Sequence, residues 1–247
     1  MRRSRHFLWI AVLAAVAVIA LTAVLRTPLP PSNDDPGSGC GVRVVEDLGE
    51  RLLVVDGLIR GSVDPETGEC LLPSSNAAGL AGRLFEVPGR VLLVGIGDGS
   101  AARRFAGKGW RVDAVEPDPR VAWAAAWHGG LDADDASLVL GDPRTYLETH
   151  DGPWEIVLVS DAASIDDPGR LVTREAFGLV AARLAAGGVA VVDLETAGWR
   201  SPLVRAVAAT LGSSFPRVLA LPTMEPPNAL GRVVLLAAEG IRGFHRG

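Results

Sequence analysis

Lysine, cysteine and tyrosine are scarce in this chain of 247 residues, which has one lysine, two cysteines and one tyrosine. Two cysteines are too few for a small fold held together by disulfides, and these two are too far apart for a Cys-x-x-Cys metal site. The histidines show no metal-ligand spacing either: His6, His128, His150 and His245. We therefore predict that the chain holds no metal.

An excess of positive charge is also lacking. The formal net charge is −5, and because four arginines lie among the first 26 residues, residues 27–247 carry about −9. Nucleic-acid binding needs clustered Lys and Arg against phosphates, so this acidic body excludes nucleic acid as a partner. Neither a nucleophile elbow nor a phosphate-binding loop occurs. Apolar residues at 48% and charged residues at 21% exclude a disordered chain and a multi-span membrane protein.

The N-terminus carries one long apolar run, from Phe7 to Leu25, in which Thr22 is the only polar residue. At about 1.5 Å per residue this run spans most of a hydrocarbon core of roughly 30 Å. Three arginines precede it, so the positive-inside rule places the N-terminus in the cytoplasm and the body outside. A cleaved signal peptide is the alternative. We favour an uncleaved signal anchor, because the run is longer than the usual apolar region of about 7–15 residues.

A β-rich stretch follows, bracketed by Cys40 and Cys70. Val42–Val45 and Arg51–Val55 are predicted strands on either side of a turn-rich connection, and Asp56-Gly57 is a second turn signal. In an oxidising compartment the two cysteines could close a loop worth about 3–4 kcal/mol in the chain-entropy model. Two free thiols are an equal alternative.

From Val87 onward, apolar strand-like runs alternate with helical segments, which is the pattern of a doubly wound α/β sheet with helices on both faces. The paired Gly187-Gly188 is predicted to end a helix as its C-cap. We predict about seven strands: Arg90–Val94, Arg111–Val115, Ser137–Leu140, Ile156–Val159, Val189–Leu194, Val218–Leu221 and Val233–Ala237.

Candidate ligand-binding residues follow the first three of these strands. The first strand runs into a glycine-rich loop, residues 95–100, and then into a helix, an arrangement that binds nucleotide-like ligands. A dinucleotide fingerprint requires Gly or Ala at position 100, where this chain has Ser100, so the sequence does not favour NAD. Glu116 ends the second strand at the spacing where a carboxylate accepts both ribose hydroxyls, and Asp142, after the third, can meet an adenine amino group. Together these residues predict an adenosine site.

These motifs resemble the S-adenosylmethionine-dependent methyltransferase fold and, within it, the spermidine synthase (polyamine aminopropyltransferase) family. The resemblance covers about residues 41–240. Six segments carry it in order: the hairpin end Leu52–Gly57, the loop Gly95–Ser100, Val115–Pro119, Gly141–Leu147, Thr173–Phe177 and Leu184–Val189.

The resemblance implies transfer of an aminopropyl group from decarboxylated S-adenosylmethionine to a polyamine, with no permanently bound cofactor. It implies a catalytic base at the end of the fourth strand, where the catalytic loop departs from the family pattern. Ser160 holds the expected position, and Asp161, one residue later, is the candidate base. The residues implied to hold the adenosyl ligand are Gly95, Gly97, Asp98, Gly99, Glu116 and Asp142.

The predicted organisation has five segments: a cytoplasmic basic stub with the anchor (1–26), a linker (27–39), a β-hairpin subdomain (40–85), a Rossmann-like methyltransferase/spermidine synthase domain (86–240) and a tail (241–247). Expected partners are small nucleoside and amine substrates and, through the N-terminal helix, the membrane; a homodimer is compatible with the sequence.

Two other functions stay open. One is methyl transfer from S-adenosylmethionine itself, which a carboxylate-binding group beside the glycine loop would favour. The other is a non-catalytic extracytoplasmic module on the same fold. The predicted topology bears on this choice, because S-adenosyl compounds should be scarce outside the cytoplasm. Either the orientation is inverted and an active enzyme faces the cytoplasm, or an exported copy has taken another role.

Overall fold

Two-residue turns divide the first part of the body into three antiparallel strands. In the computed structural model, which describes residues 41–160, 171–198, 200–223 and 230–240, these are β1 (Val42–Asp47), β2 (Glu50–Val55) and β3 (Leu58–Val63). Both residues of each turn, Leu48-Gly49 and Asp56-Gly57, have positive φ. Such turns match the right-handed twist of paired strands. The predicted hairpin is confirmed, with a third strand added after its second turn.

The hairpin is followed by α1 (Pro73–Gly79) and a 3-10 helix (Leu80–Leu84). The remaining elements in chain order are β4 (Arg90–Val94), α2 (Ser100–Ala106), β5 (Arg111–Glu116), α3 (Pro119–Trp127), β6 (Ser137–Leu140), α4 (Pro143–Thr149), β7 (Trp154–Val159), α5 (Arg174–Arg183), β8 (Leu184–Ala197), α6 (Pro202–Leu211), β9 (Arg217–Pro222) and β10 (Leu230–Ala238).

Strands β4 to β10 form one seven-stranded sheet in the order β6-β5-β4-β7-β8-β10-β9. Strands β4 to β8 are parallel, and β10 runs antiparallel to both of its neighbours. The chain enters at β4, winds to one edge through β5 and β6, and then returns to the other side of β4 at β7. This reversal of winding opens a crevice at the carboxyl ends of β4 and β7, which is where open α/β sheets bind ligands.

Two apolar cores cover the two faces of this sheet. Alternate residues of β4 point to opposite faces: Val91 and Leu93 pack with α1 to α3, while Leu92 and Val94 pack with α4 to α6. All four are at most 1% exposed. A strand buried on both faces has no polar side to alternate with, which is why β4 is a continuous apolar run in the sequence.

The prediction for Gly187-Gly188 is wrong. Helix α5 already ends at Arg183, and Leu184 is extended (φ −76°, ψ 145°) and pairs with Trp154 at the start of β8. The two glycines therefore lie inside β8, next to an irregularity in its pairing with β7. Gly187 has a φ of +77°, a conformation in which a strand departs from regular pairing.

Several predictions concern residues outside the described part of the chain. They include the apolar segment Phe7–Leu25, the linker 27–39 and the tail 241–247. Within the described ranges, no helix has the length and apolar character needed to cross a membrane. Cys70 is buried, and its pairing with Cys40, which is not among the described residues, stays a prediction.

Candidate ligand site at the carboxyl edge of the sheet

A cavity of about 340 Å³ lies at the carboxyl ends of the parallel strands, with the β-hairpin forming part of its wall. Its volume is at the lower end of the range for small-molecule sites. The residues that line it come from nine separate segments of the chain: Val55, Asp56 and Arg60; Ser75; Val94 to Asp98 with Ser100 and Ala101; Glu116 to Asp118 with Val121; Asp142 to Arg144; Ser160; Leu171; Asp193; and Arg232.

The glycine-rich loop after β4 has the backbone conformation that its sequence predicts. Gly95, Gly97 and Gly99 all have positive φ, at 89°, 55° and 79°. Gly95 and Gly97 line the cavity, whereas Gly99 faces the protein, where an added Cβ would meet the side chains of Ala125 and Leu131. The loop thus presents bare backbone to the cavity at two of the three predicted positions.

Asp98 holds this loop in place from within. Its Oδ1 accepts hydrogen bonds from the Ser100 backbone N–H (2.9 Å) and from the Ser100 hydroxyl (2.5 Å). The side chain packs so closely on β3 that a Cβ at Gly61 would overlap it. Burial raises the pKa of Asp98, and the bonds from Ser100 oppose that rise. Asp98 lines the cavity as predicted, and it also joins the loop to the hairpin.

Glu116 ends β5 and is 5% exposed. Its Oε2 accepts a hydrogen bond from the Ile96 backbone N–H and its Oε1 accepts one from the Asp118 backbone N–H, both at 2.9 Å. The carboxylate therefore joins the glycine-rich loop to the loop after β5. Burial raises its pKa to about 7, despite the two backbone hydrogen bonds that lower it. A carboxylate oxygen has two lone pairs, so each oxygen can accept one further hydrogen bond.

Asp142 follows β6 and is the N-cap of α4. Its Oδ1 accepts hydrogen bonds from the Thr145 backbone N–H (2.8 Å) and hydroxyl (2.9 Å). Helix α4 was absent from the sequence prediction, although Asp142-Pro143 is an N-cap followed by proline at the first helical position. Glu116, Asp142 and the glycine-rich loop thus meet around one cavity.

The predicted catalytic residue, Asp161, lies outside the described residues. Its neighbour Ser160 is described and lines the cavity. The backbone N–H of Ser160 donates to the Val94 carbonyl at 2.9 Å, which continues the pairing of β7 with β4. The position at which the resemblance expects a base is therefore at the crevice, and a serine occupies it.

The sequence analysis missed a buried arginine–carboxylate network, formed by Arg60, Asp193, Glu195 and Arg232. The Arg232 Nε lies 3.1 Å from both carboxylate oxygens of Asp193, and its Nη1 lies 3.7 Å from Glu195 Oε2. The Arg60 Nη1 lies 3.3 Å from the same Glu195 oxygen. Arg60, Asp193 and Arg232 line the cavity.

Burial lowers the pKa of Arg60, while hydrogen bonding to Glu195 opposes that change. One signal in the sequence points to the network: Asp193 interrupts the apolar run from Val189 to Leu194, and a charge inside a buried strand needs a partner. Its partner Arg232 comes from β10, and Arg60, which bonds Glu195, comes from β3; both are far away in sequence.

The raised pKa of Glu116 predicts a pH dependence of stability. Between pH 4.5 and about 7 the unfolded chain releases this proton while the folded chain retains it, so the free energy of unfolding falls as pH rises. At 1.36 kcal/mol per pKa unit the loss is about 3 kcal/mol. In Glu116→Gln this component disappears, and urea unfolding between pH 5 and 8 should show a flatter profile than the wild type. Exposed Glu66→Gln is the control, and parallel profiles for wild type and Glu116→Gln would contradict the prediction.

Comparison with known proteins gives the fold. No protein-family model matches the chain. Among solved structures, a probable spermidine synthase from Corynebacterium glutamicum matches with a TM-score of 0.68 at 18% identity, over 87% of this chain and 81% of that one. A spermidine synthase in complex with the transition-state analogue AdoDATO matches with a TM-score of 0.62 at 16% identity, over 81% of this chain and 73% of that one. Human methyltransferase-like protein 13 in complex with SAH matches with a TM-score of 0.57 at 21% identity, over 70% of this chain and 84% of that one.

At these identities the likeness is one of fold. The predicted α/β fold is confirmed, and so is the resemblance to spermidine synthases at the level of structure. The chain has the Rossmann-like fold of the S-adenosylmethionine-dependent methyltransferases, with a seven-stranded sheet and an N-terminal β-hairpin.

Proposed function

We propose that this chain is a transferase that binds an S-adenosyl compound in the cavity at the carboxyl edge of the sheet and moves a group from its sulfonium centre to an acceptor. The observation that carries the proposal is the buried carboxylate of Glu116, held by two backbone N–H groups beside the glycine-rich loop. The solved structures of similar fold include proteins in complex with SAH and with AdoDATO.

Recognition of a ribose requires two acceptors at a fixed spacing, because its two neighbouring hydroxyls both donate. Glu116 meets this requirement with one rigid group, since the bonds from Ile96 and Asp118 fix the carboxylate plane and leave one lone pair on each oxygen. Asp142 follows the next strand and lines the same cavity, and we propose that it binds the adenine. Six acidic and three basic side chains line the cavity, a balance that suits a sulfonium cation.

The transferred group has two candidates. The first is the aminopropyl group of decarboxylated S-adenosylmethionine, passed to a polyamine, as the sequence resemblance implies. In such a transfer the amine nitrogen bonds to the carbon next to sulfur, the carbon–sulfur bond breaks with its electron pair going to sulfur, and methylthioadenosine leaves. The nitrogen loses a proton, which a carboxylate at the end of β7 would accept. We propose Asp161 as that carboxylate, because it directly follows Ser160 at the cavity wall.

The second candidate is methyl transfer from S-adenosylmethionine. One observation favours it: Arg60, whose backbone passes close to the glycine-rich loop, is a basic residue that lines the cavity. Arg60 lines the cavity, and its carbonyl oxygen lies 3.8 Å from the position that a Cβ of Gly97 would take. An arginine at this place can bind the carboxylate that distinguishes S-adenosylmethionine from its decarboxylated form.

We also propose that residues 7–25 anchor the chain in a membrane, which rests on the apolar run and the arginines before it. The arginines favour a body outside the cytoplasm, whereas an S-adenosyl co-substrate favours the cytoplasmic side.

A reporter that is active only in the cytoplasm, fused to the C-terminus, decides between these two orientations. Reporter activity, with the chain in the membrane fraction, is the result expected of a working transferase. An inactive reporter would favour the exported, non-catalytic module.

Nucleoside binding is the first test of the proposed function. Calorimetric titration of the full chain with methylthioadenosine should show micromolar affinity. Glu116→Ala should weaken it by about 10- to 100-fold, because a charged acceptor of two hydrogen bonds is lost. Glu66→Ala removes an exposed glutamate outside the cavity and should leave the affinity unchanged. Absence of binding by chain shown to be folded by circular dichroism would refute the proposal.

The second test addresses catalysis. Asp161→Asn should lower turnover by at least about 100-fold, as expected for loss of a general base, with methylthioadenosine affinity unchanged. Turnover is measured with putrescine as acceptor, offered once with S-adenosylmethionine and once with its decarboxylated form. Asp167→Asn, six residues further along the chain, is the matched control. Unchanged turnover in Asp161→Asn would remove this residue from the mechanism.

A further inference from the structure

The arginine–carboxylate network lies on the β8 and β10 side of the cavity, away from Glu116. Glu116 ends β5, while Asp193 lies on β8, three strands further along the sheet, which corresponds to about 14 Å at the usual spacing between strands. Arg232 comes from β10, the next neighbour of β8, and Arg60 approaches from the hairpin over the glycine-rich loop. A ligand with its ribose on Glu116 therefore directs its other end toward this network.

We infer that the network recognises an α-amino acid group, with its carboxylate and ammonium together, and that the co-substrate is therefore S-adenosylmethionine itself. This inference rests on the proposed function, which it deepens by choosing between the two co-substrates. Arg60 and Arg232 supply guanidinium groups, which bind carboxylates through parallel hydrogen bonds. Asp193, which bonds Arg232 on the cavity wall, supplies an acceptor for the ammonium.

The charge of the network supports a zwitterion over a cation. The two arginines and two carboxylates of the network have a net charge of zero. An amino acid group, which also has no net charge, therefore leaves the total charge of the network unchanged. Decarboxylated S-adenosylmethionine carries an ammonium and a sulfonium but no anion, and a polyamine acceptor would add further positive charge. The side chains of Arg60, Asp193 and Arg232 are only 8%, 7% and 12% exposed, so water and salt screen the repulsion weakly.

The stability of the folded protein does not by itself explain why these four charged residues are present. A buried ion pair is often no more stabilising than apolar residues of the same size, because both charges lose their hydration. On the same face of these strands, the next residues are Val191 on β8 and Val234 on β10, and both are fully buried in the apolar core. This face of the sheet therefore accepts apolar side chains directly beside the network. What the network adds is a set of charged atoms at the cavity wall.

Selection of S-adenosylmethionine changes which group can be transferred. The sulfonium then carries a methyl group and an amino-carboxypropyl group, in place of the aminopropyl group. An acceptor that attacks either carbon breaks the carbon–sulfur bond, with the electron pair going to sulfur, and leaves a neutral thioether. The proton released by the acceptor still requires a base at the crevice, so the role proposed for Asp161 is the same.

Calorimetry of the full chain with two matched pairs of ligands tests the inference without any acceptor present. S-adenosylhomocysteine and methylthioadenosine share the nucleoside and a neutral sulfur but differ in the amino acid group, and S-adenosylmethionine and its decarboxylated form differ in the carboxylate. We expect the first member of each pair to bind at least 10-fold more tightly. Arg60→Gln should remove most of this preference and leave methylthioadenosine affinity within twofold.

The matched control is Arg51→Gln, on the neighbouring strand of the same hairpin. Arg51 bonds Glu46 and the His128 carbonyl and does not line the cavity, so its loss should change none of the four affinities. Equal or tighter binding of decarboxylated S-adenosylmethionine by the wild type would overturn the inference. So would equal weakening of S-adenosylhomocysteine and methylthioadenosine by Arg60→Gln, which would make the network a structural link. No binding of methylthioadenosine would refute the proposed function itself.

Discussion

The candidate site depends on one buried carboxylate. Glu116 is 5% exposed and joins two loops that follow adjacent strands, through its bonds to the Ile96 and Asp118 backbone N–H groups. Burying a carboxylate is unfavourable unless hydrogen bonds compensate, and here two bonds do so only in part, since the pKa of Glu116 stays near 7. The free protein thus carries a carboxylate short of donors. A ligand that brings two hydroxyl donors to it would recover part of that cost.

The hairpin completes the site because the sheet alone leaves the crevice open on one side. Three of the contacts that join it to the domain lie at the cavity: Asp98 packs on Gly61, the Arg60 carbonyl lies against Gly97, and the Arg60 side chain reaches Glu195 on β8. The first two act on the glycine-rich loop, so the conformation of that loop and the position of the hairpin are coupled. The wall of the cavity and its floor are therefore parts of one packed unit, rather than a domain with a separate lid.

Sequence analysis brought together the residues of the proposed nucleoside site because each lies at or just after the end of a strand. The residues at the end of an apolar run lie at the carboxyl edge of the sheet, which places Gly95, Glu116 and Asp142 there without any knowledge of long-range contacts. The seven strands of the main sheet were predictable because each is mainly apolar, although β5 and β8 contain Asp113 and Asp193. The network was not predictable, because it joins β3, β8 and β10, and only their pairing in space brings the four charges together. The wrong prediction for Gly187 has a different cause. A glycine pair is compatible both with the end of a helix and with an irregularity in a strand, and the pairing of Leu184 with Trp154 places it in a strand.

The departure from the spermidine synthase pattern lies at the end of β7, where Ser160, next to Gly95, stands at the position expected for the base. The proposed nucleoside contacts, with the glycine-rich loop and Glu116, keep the residues that the resemblance implies. Toward β8 and β10, two arginines line the wall. A site for a cationic amine needs an excess of acidic groups, and these arginines reduce that excess on their side of the cavity. A change of this kind alters what the cavity accepts beyond the sulfur while leaving the nucleoside contacts intact. The fold and the proposed ribose contact therefore argue for the class of co-substrate, and the charges toward β8 and β10 are the basis for proposing which member of that class fits.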